Sequence, residues 1–146
     1  MKGDRVKITC NLEIAKRKLR ERNLSLVIVK DRKIIFESKL QGITGLIQAI
    51  DSMGNLLHSS SAADKVVGRA AALLMAFSRI NEVYAVTISS EGLRTLTEHH
   101  IRVEYDSLVP RIMNRRGDDI CPFEKACTDI RSPKEAYIRL KSILNF

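Results

Sequence analysis

Apolar residues recur along this chain at two periods, and the switches between them divide it into elements. In residues 9–22, Leu12, Ala15 and Leu19 fall at helical spacing with Lys and Arg between them, which predicts an amphipathic helix. Residues 24–29 are a run of strand formers, Asp31-Arg32 is a short turn, and Ile34-Ile35-Phe36 follows as a second strand. A β-hairpin is expected, although its turn lacks the usual glycine. Residues 43–52 turn Leu46, Ile47 and Ile50 to one side of a short helix, with Gly54 as its stop.

Ser61-Ala62-Ala63-Asp64 reads as the start of a long helix, with Ser61 capping free N–H groups and Asp64 at the positive end of the dipole. Its inward stripe is Val66, Val67, Ala70, Leu73, Leu74 and Phe77. Its alanines and Gly68 make it narrow, which places it at the centre of the fold. Residues 82–89 then predict a strand, 90–99 a helix and 101–105 a strand, a run that implies parallel strands joined by a crossover. Residues 106–114 read as a helix-like turn around Pro110, and 114–119 as a polar loop. Pro122 opens a short helix after Cys121. Ser132 and Glu135 cap a final helix that turns Ala136, Leu140, Ile143 and Leu144 inward. No repeat or linker interrupts the pattern, so residues 1–146 are expected to form a single domain, with 1–10 flexible.

Composition narrows the class. The 146 residues are 45% apolar and 29% charged, enough to bury a core without a metal or disulfide staple. The three cysteines, Cys10, Cys121 and Cys127, are odd in number and scattered, which argues for reduced thiols in a cytoplasm. No stretch approaches the roughly 20 apolar residues of a membrane helix, and the N-terminus lacks the apolar core of a signal peptide. The net charge of +8 is uneven: residues 1–40 hold 12 Lys/Arg against 5 Asp/Glu, and 41–146 hold 13 against 12. Lys16, Arg17, Lys18, Arg20 and Arg22 therefore form either a nucleic-acid patch or a solvated helix face. With seven aromatics and no tryptophan, base stacking has little to draw on, so nucleic-acid contact would be non-specific.

Three segments carry a resemblance: Leu26-Val27-Ile28-Val29-Lys30-Asp31, residues 63–72 (ADKVVGRAAA) and Cys121-Pro122-Phe123-Glu124-Lys125-Ala126. Over about residues 10–145 the chain resembles the prokaryotic family catalogued as domain of unknown function 1893. Its element order also fits the cytidine deaminase-like fold. The resemblance implies an α/β, three-layer α-β-α domain with a mixed sheet, and no reaction, since a shared fold does not transfer function.

Zinc deaminases need a His or Cys and a Glu at one helix start, and Pro-Cys-x-x-Cys at the next. Read this way, the two starts here are Ser61-Ala62-Ala63-Asp64-Lys65 and Ser89-Ser90-Glu91-Gly92-Leu93, with no thiolate or imidazole at either. Cys121 and Cys127 are spaced onto different helix faces, and His99 and His100 point apart. Neither a metal nor a cofactor is expected.

Ser61, Asp64, Lys65 and Arg69 can instead bind an anion at a helix start. Capping plus an ion pair of Asp64 fits the same residues, and no Gly-rich phosphate loop strengthens the anion site. Cys121, at a helix N-terminus near Arg115 and Arg116, is a candidate nucleophile or redox thiol, with Glu124, Lys125 or Lys65 assisting. A buried cysteine completing a turn fits equally. Glu124 and Lys125 can form a local ion pair, and residues 115–119 either a binding loop or a solvated turn. The expected function is binding of a small anionic metabolite or nucleotide, with or without catalysis, with Asp64, Lys65, Arg69, Cys121 and Glu124 lining one cleft. A non-catalytic interaction module is the other expectation, self-associating through an open edge strand or meeting a partner through the basic helix.

Overall fold

The computed structural model describes residues 2–144, with side chains described from residue 11 onward; the expected flexibility of residues 1–10 falls on side chains outside that range. In chain order the elements are α1 (Lys2–Glu21), β1 (Leu26–Lys30), β2 (Lys33–Ser38) and α2 (Thr44–Met53), followed by a single 3-10 turn (Gly54–Leu57). Next come β3 (Ser61–Val67), α3 (Arg69–Phe77), β4 (Glu82–Ser89) and α4 (Ser90–Glu98). The chain closes with β5 (Arg102–Val109), α5 (Pro122–Ala126) and α6 (Pro133–Leu144). The five strands form one sheet in the order β2-β1-β3-β4-β5. β1 runs antiparallel to both its neighbours, whereas β3, β4 and β5 are parallel. This is the expected three-layer α-β-α arrangement with a mixed sheet.

The hairpin turns without glycine because Asp31 and Arg32 both take positive φ, 51° and 66°. That is the type I′ pattern that matches the twist of its strands. The Arg32 N–H donates to Asn11 Oδ1 at 2.8 Å, which helps hold the left-handed pair.

β1 is apolar on both faces because it is covered on both. Leu26 and Ile28 join the larger core, built with α2, α3, α4 and α6. Val27 and Val29 meet Leu12, Ala15 and Leu19 of α1 across the sheet, together with Ala63 and Tyr84. The rim of α1 is tied down electrostatically. Arg20 donates to the Tyr84 hydroxyl at 3.0 Å, and that hydroxyl donates to Asp106 at 2.5 Å. Lys16 pairs with Glu104 and with Glu13.

The structure corrects the sequence reading at four places. Residues 61–67 form β3, the central strand, and the helix starts only at Arg69 after Gly68. Alanine favours helix locally, but Ala62 and Ala63 are fully buried on opposite faces, between the helical layers, where small side chains let α1 and α3 approach the sheet. Tertiary packing overrides propensity there. Val66 is therefore no part of an inward helical stripe, and it is 45% exposed. β5 continues to Val109, so the turn expected over residues 106–114 is half strand, extended by ladder bonds to β4. Ile143 faces solvent, while Ala136 and Leu140 are buried as expected.

Candidate functional site

The carboxyl ends of parallel strands are where open α/β sheets build their sites, and here two helices begin there. α4 is capped by Ser89, whose hydroxyl accepts the Gly92 N–H at 3.0 Å. Gly92 itself touches the backbone linking β3 to α3: a Cβ on it would lie 2.8 Å from the Val67 carbonyl oxygen and 3.1 Å from the Gly68 carbonyl carbon. The absence of a side chain lets the two helix starts press together.

The start of α3 is filled by the chain itself. Glu124, from α5, accepts the Arg69 N–H at 2.7 Å and the Ala70 N–H at 2.8 Å, one on each carboxylate oxygen. Those are orphan donors of the first helical turn, at the positive end of the dipole. Gly68 makes the contact achievable, because a Cβ there would overlap the carboxylate, with Cδ only 2.5 Å away. Burial raises the Glu124 carboxyl above its ordinary range, the two N–H bonds and Arg69 oppose that rise, and neighbouring Glu91 adds to it.

Arg69 is likewise committed inside the fold. Its guanidinium donates to the carbonyls of Cys127 at 3.1 Å and Ile130 at 2.5 Å, and pairs with Glu91 at 3.3 Å. It ties α3 to α4 and to the chain between α5 and α6. Ser61, expected at a helix start, lies at the opposite, amino-terminal end of β3, buried and donating to Glu82 at 2.6 Å. Lys125 pairs with Asp119, so the local pair of Lys125 with Glu124 does not form. Cys127 is fully buried, and its thiol is pushed up to about 11, chiefly by burial.

Beside the plugged helix start lies an open cavity of about 650 Å³, within the small-molecule range. Asp64, Lys65, Arg115 and Cys121 line it together with an apolar wall that includes Met113 and Phe123. Lys65 and Cys121 thus share one cavity, and Asp64 with them, whereas Arg69 and Glu124 stand outside it. Asp64 is the buried member of the lining, 7% exposed. Burial pushes its carboxyl up to about 7 against the pull of the Val66 and Lys65 backbone N–H groups. The Val66 bond is long, 3.3 Å, and the Lys65 ammonium turns away to donate to Asn23 at 2.9 Å. No cation pairs with Asp64 among the described residues.

The deaminase metal does not fit these residues. The helix starts present Gly68-Arg69-Ala70 and Ser89-Ser90-Glu91-Gly92, where Glu91 is already paired with Arg69 and Arg94. Among the described residues no group of three or more His, Cys, Asp or Glu could hold a metal ion.

Asp64, Lys65 and Cys121, expected in one cleft, do line one cavity, although the first two stand on a strand and not on a helix start. Sequence reasoning missed the pairing of Gly68 with Glu124 and the close approach at Gly92. A β-branched pair followed by glycine, Val66-Val67-Gly68, was the available sign of a strand ending before a helix.

The fold and the site define a three-layer α-β-α domain with a mixed sheet, whose two helix starts carry no His or Cys and whose cavity lies beside them. A family model described as TM1506, domain of unknown function (DUF1893), matches residues 14–144, and the chain belongs to that family. The DUF1893 protein TM1506 of Thermotoga maritima superposes with a TM-score of 0.84 at 29% identity, covering 91% of this chain and 89% of that one. Partial likeness extends to RibD of Acinetobacter baumannii, with a TM-score of 0.48, 21% identity, and 66% of this chain over 33% of that one. It extends also to the dCMP deaminase of cyanophage S-TIM5, with a TM-score of 0.47, 13% identity, and 65% of this chain over 93% of that one. No curated protein sequence matches significantly. No described helix is long and apolar enough to cross a membrane.

Proposed function

We propose that this chain binds a small anionic metabolite of nucleotide size in the cavity at the carboxyl end of β3. The observation that carries this is the lining itself. A buried carboxyl, two cations, a thiol and an apolar wall converge on about 650 Å³ of space. Lys65 and Arg115 supply attraction for a phosphate or carboxylate. Arg115 has no partner among the described residues, whereas its neighbour Arg116 pairs with Asp118 at 3.9 Å. Cys121 faces the same space as a candidate nucleophile, and Asp64 as a carboxyl that can hold or release a proton near neutral pH. Ser61, Arg69 and Glu124 have structural partners and are not assigned to the ligand.

The basic helix offers less to a partner than its composition suggests. Lys16, Arg17, Lys18, Arg20 and Arg22 each have an acidic partner in Glu13, Glu21, Glu37, Glu104 or Asp106.

Thermal unfolding against a panel of nucleotides, phosphosugars and small carboxylates tests the proposal. A ligand at about 100 times its Kd adds roughly 2.7 kcal/mol, a shift of several degrees. The shift is expected to fall in Lys65→Ala and in Arg115→Ala. A panel without any shift overturns the proposal for those classes.

A further inference from the structure

We propose that the ligand is dipolar: it presents an N–H donor, an amine or an amino-bearing ring edge, to Asp64 and its anionic group to Arg115 and Lys65. This rests on the cavity being a ligand site. Asp64 is a side chain more than nine-tenths buried that lines the cavity, and no side-chain donor or cation among the described residues reaches it. A carboxylate has about four acceptor positions; the Val66 N–H takes one of them, at 3.3 Å, while the Lys65 N–H donates to the Ser25 carbonyl at 3.1 Å. Its contrast with Glu124 is direct: that carboxylate is held by two short N–H bonds of 2.7 and 2.8 Å.

The remaining capacity of Asp64 suits N–H groups brought in from outside. Every charged side chain lining the cavity is accounted for. Lys65 donates to Asn23 and Arg115 is exposed, so neither neutralises Asp64. An anionic group would be repelled from the buried carboxylate and drawn to the cations nearer solvent. A ligand of one sign therefore satisfies only one part of this cavity, and a dipolar one satisfies both. The apolar side chains of Ile112, Met113, Pro122 and Phe123 suit the uncharged body between the two ends.

The test uses phosphorylated compounds that differ by one amino group: glucosamine 6-phosphate against glucose 6-phosphate, CMP against UMP, and AMP against IMP. Apparent affinities come from thermal-shift titrations of wild-type protein at pH 6 and pH 8, and of Asp64→Asn at pH 8. The amino-bearing member of at least one pair is expected to bind about tenfold more tightly. That preference should grow from pH 6 to pH 8 as Asp64 ionises, and vanish in Asp64→Asn. Equal binding of both members in every pair overturns the inference and leaves the anion-binding proposal standing. A preference that survives in Asp64→Asn, or that ignores pH in the wild type, overturns it too. No shift with any compound overturns both.

Discussion

Two carboxyl groups at the same end of the sheet, Glu124 half-buried and Asp64 buried, differ in what surrounds them. Glu124 sits on the first turn of α3, each oxygen bonded to a backbone N–H, in a space that Gly68 leaves open. Asp64 sits five residues before Arg69, the first residue of that turn, held by its own local backbone and facing an open cavity. Burial raises the pKa of both. At Glu124 the charge is met by a helix N-terminus and Arg69; at Asp64 nothing of opposite charge meets it among the described residues. A carboxylate that the fold satisfies is structural, and one that the fold leaves facing a cavity is available for function. In this domain the start of α3 is occupied by Glu124, and the open cavity lies beside it, where Asp64 lines the wall.

The largest expected effect that could break this comparison is at Asp64. Its carboxyl, at about 7 in the folded chain against 3.8 as its ordinary value, holds a proton that the unfolded chain has lost between those limits. Stability therefore falls as pH rises through that window, and above pH 7 the penalty is on the order of 4 kcal/mol. Asp64→Asn removes it, so the variant is expected to be more stable than wild type by about that amount at pH 8. The gain should shrink toward zero near pH 4. Denaturant titrations at the two pH values measure it. A gain independent of pH would mean that Asp64 is not the strained charge described here.

A smaller effect of opposite sign is expected at Gly92. A Cβ there meets backbone, not a mobile side chain, so Gly92→Ala must push α4 off the β3–α3 link. The expected loss is about 3 kcal/mol in the same titration. A neutral result would show that the two helix starts are not pressed together.

The smallest effect sharpens the other side of the comparison. Glu124→Ala removes the cap of α3 and should cost about 1–2 kcal/mol. Gly68→Ala should cost a similar amount, because it expels the same carboxylate. The double variant should then lose little more than either single one, since both remove one interaction. Additive losses would separate Gly68 from Glu124.

Much of this domain was written in local pattern. The amphipathic run of Leu12, Ala15 and Leu19, the apolar run of β1, the strand–helix–strand order of β4, α4 and β5, and the Ser132 start of α6 follow from spacing and capping alone. Such features depend on which neighbours share a face, and a neighbour three, four or two residues away is visible in sequence. Asp64, Lys65 and Cys121 were visible as candidates in the same way. What only the tertiary structure decided is where those residues stand. The Ala-rich residues 61–67 have no strand signal strong enough to beat helix propensity, and they became β3 because β1 and β4 offer ladders on both sides. Glu124 lies 55 residues from Arg69 in sequence, and no local rule links a carboxylate to a helix end that far away. The cavity likewise exists only because β3 ends beside the arm carrying Arg115 and Cys121. Local periodicity determines which face of an element is apolar; long-range packing determines which elements meet, and so which carboxylate is satisfied and which is left facing a cavity.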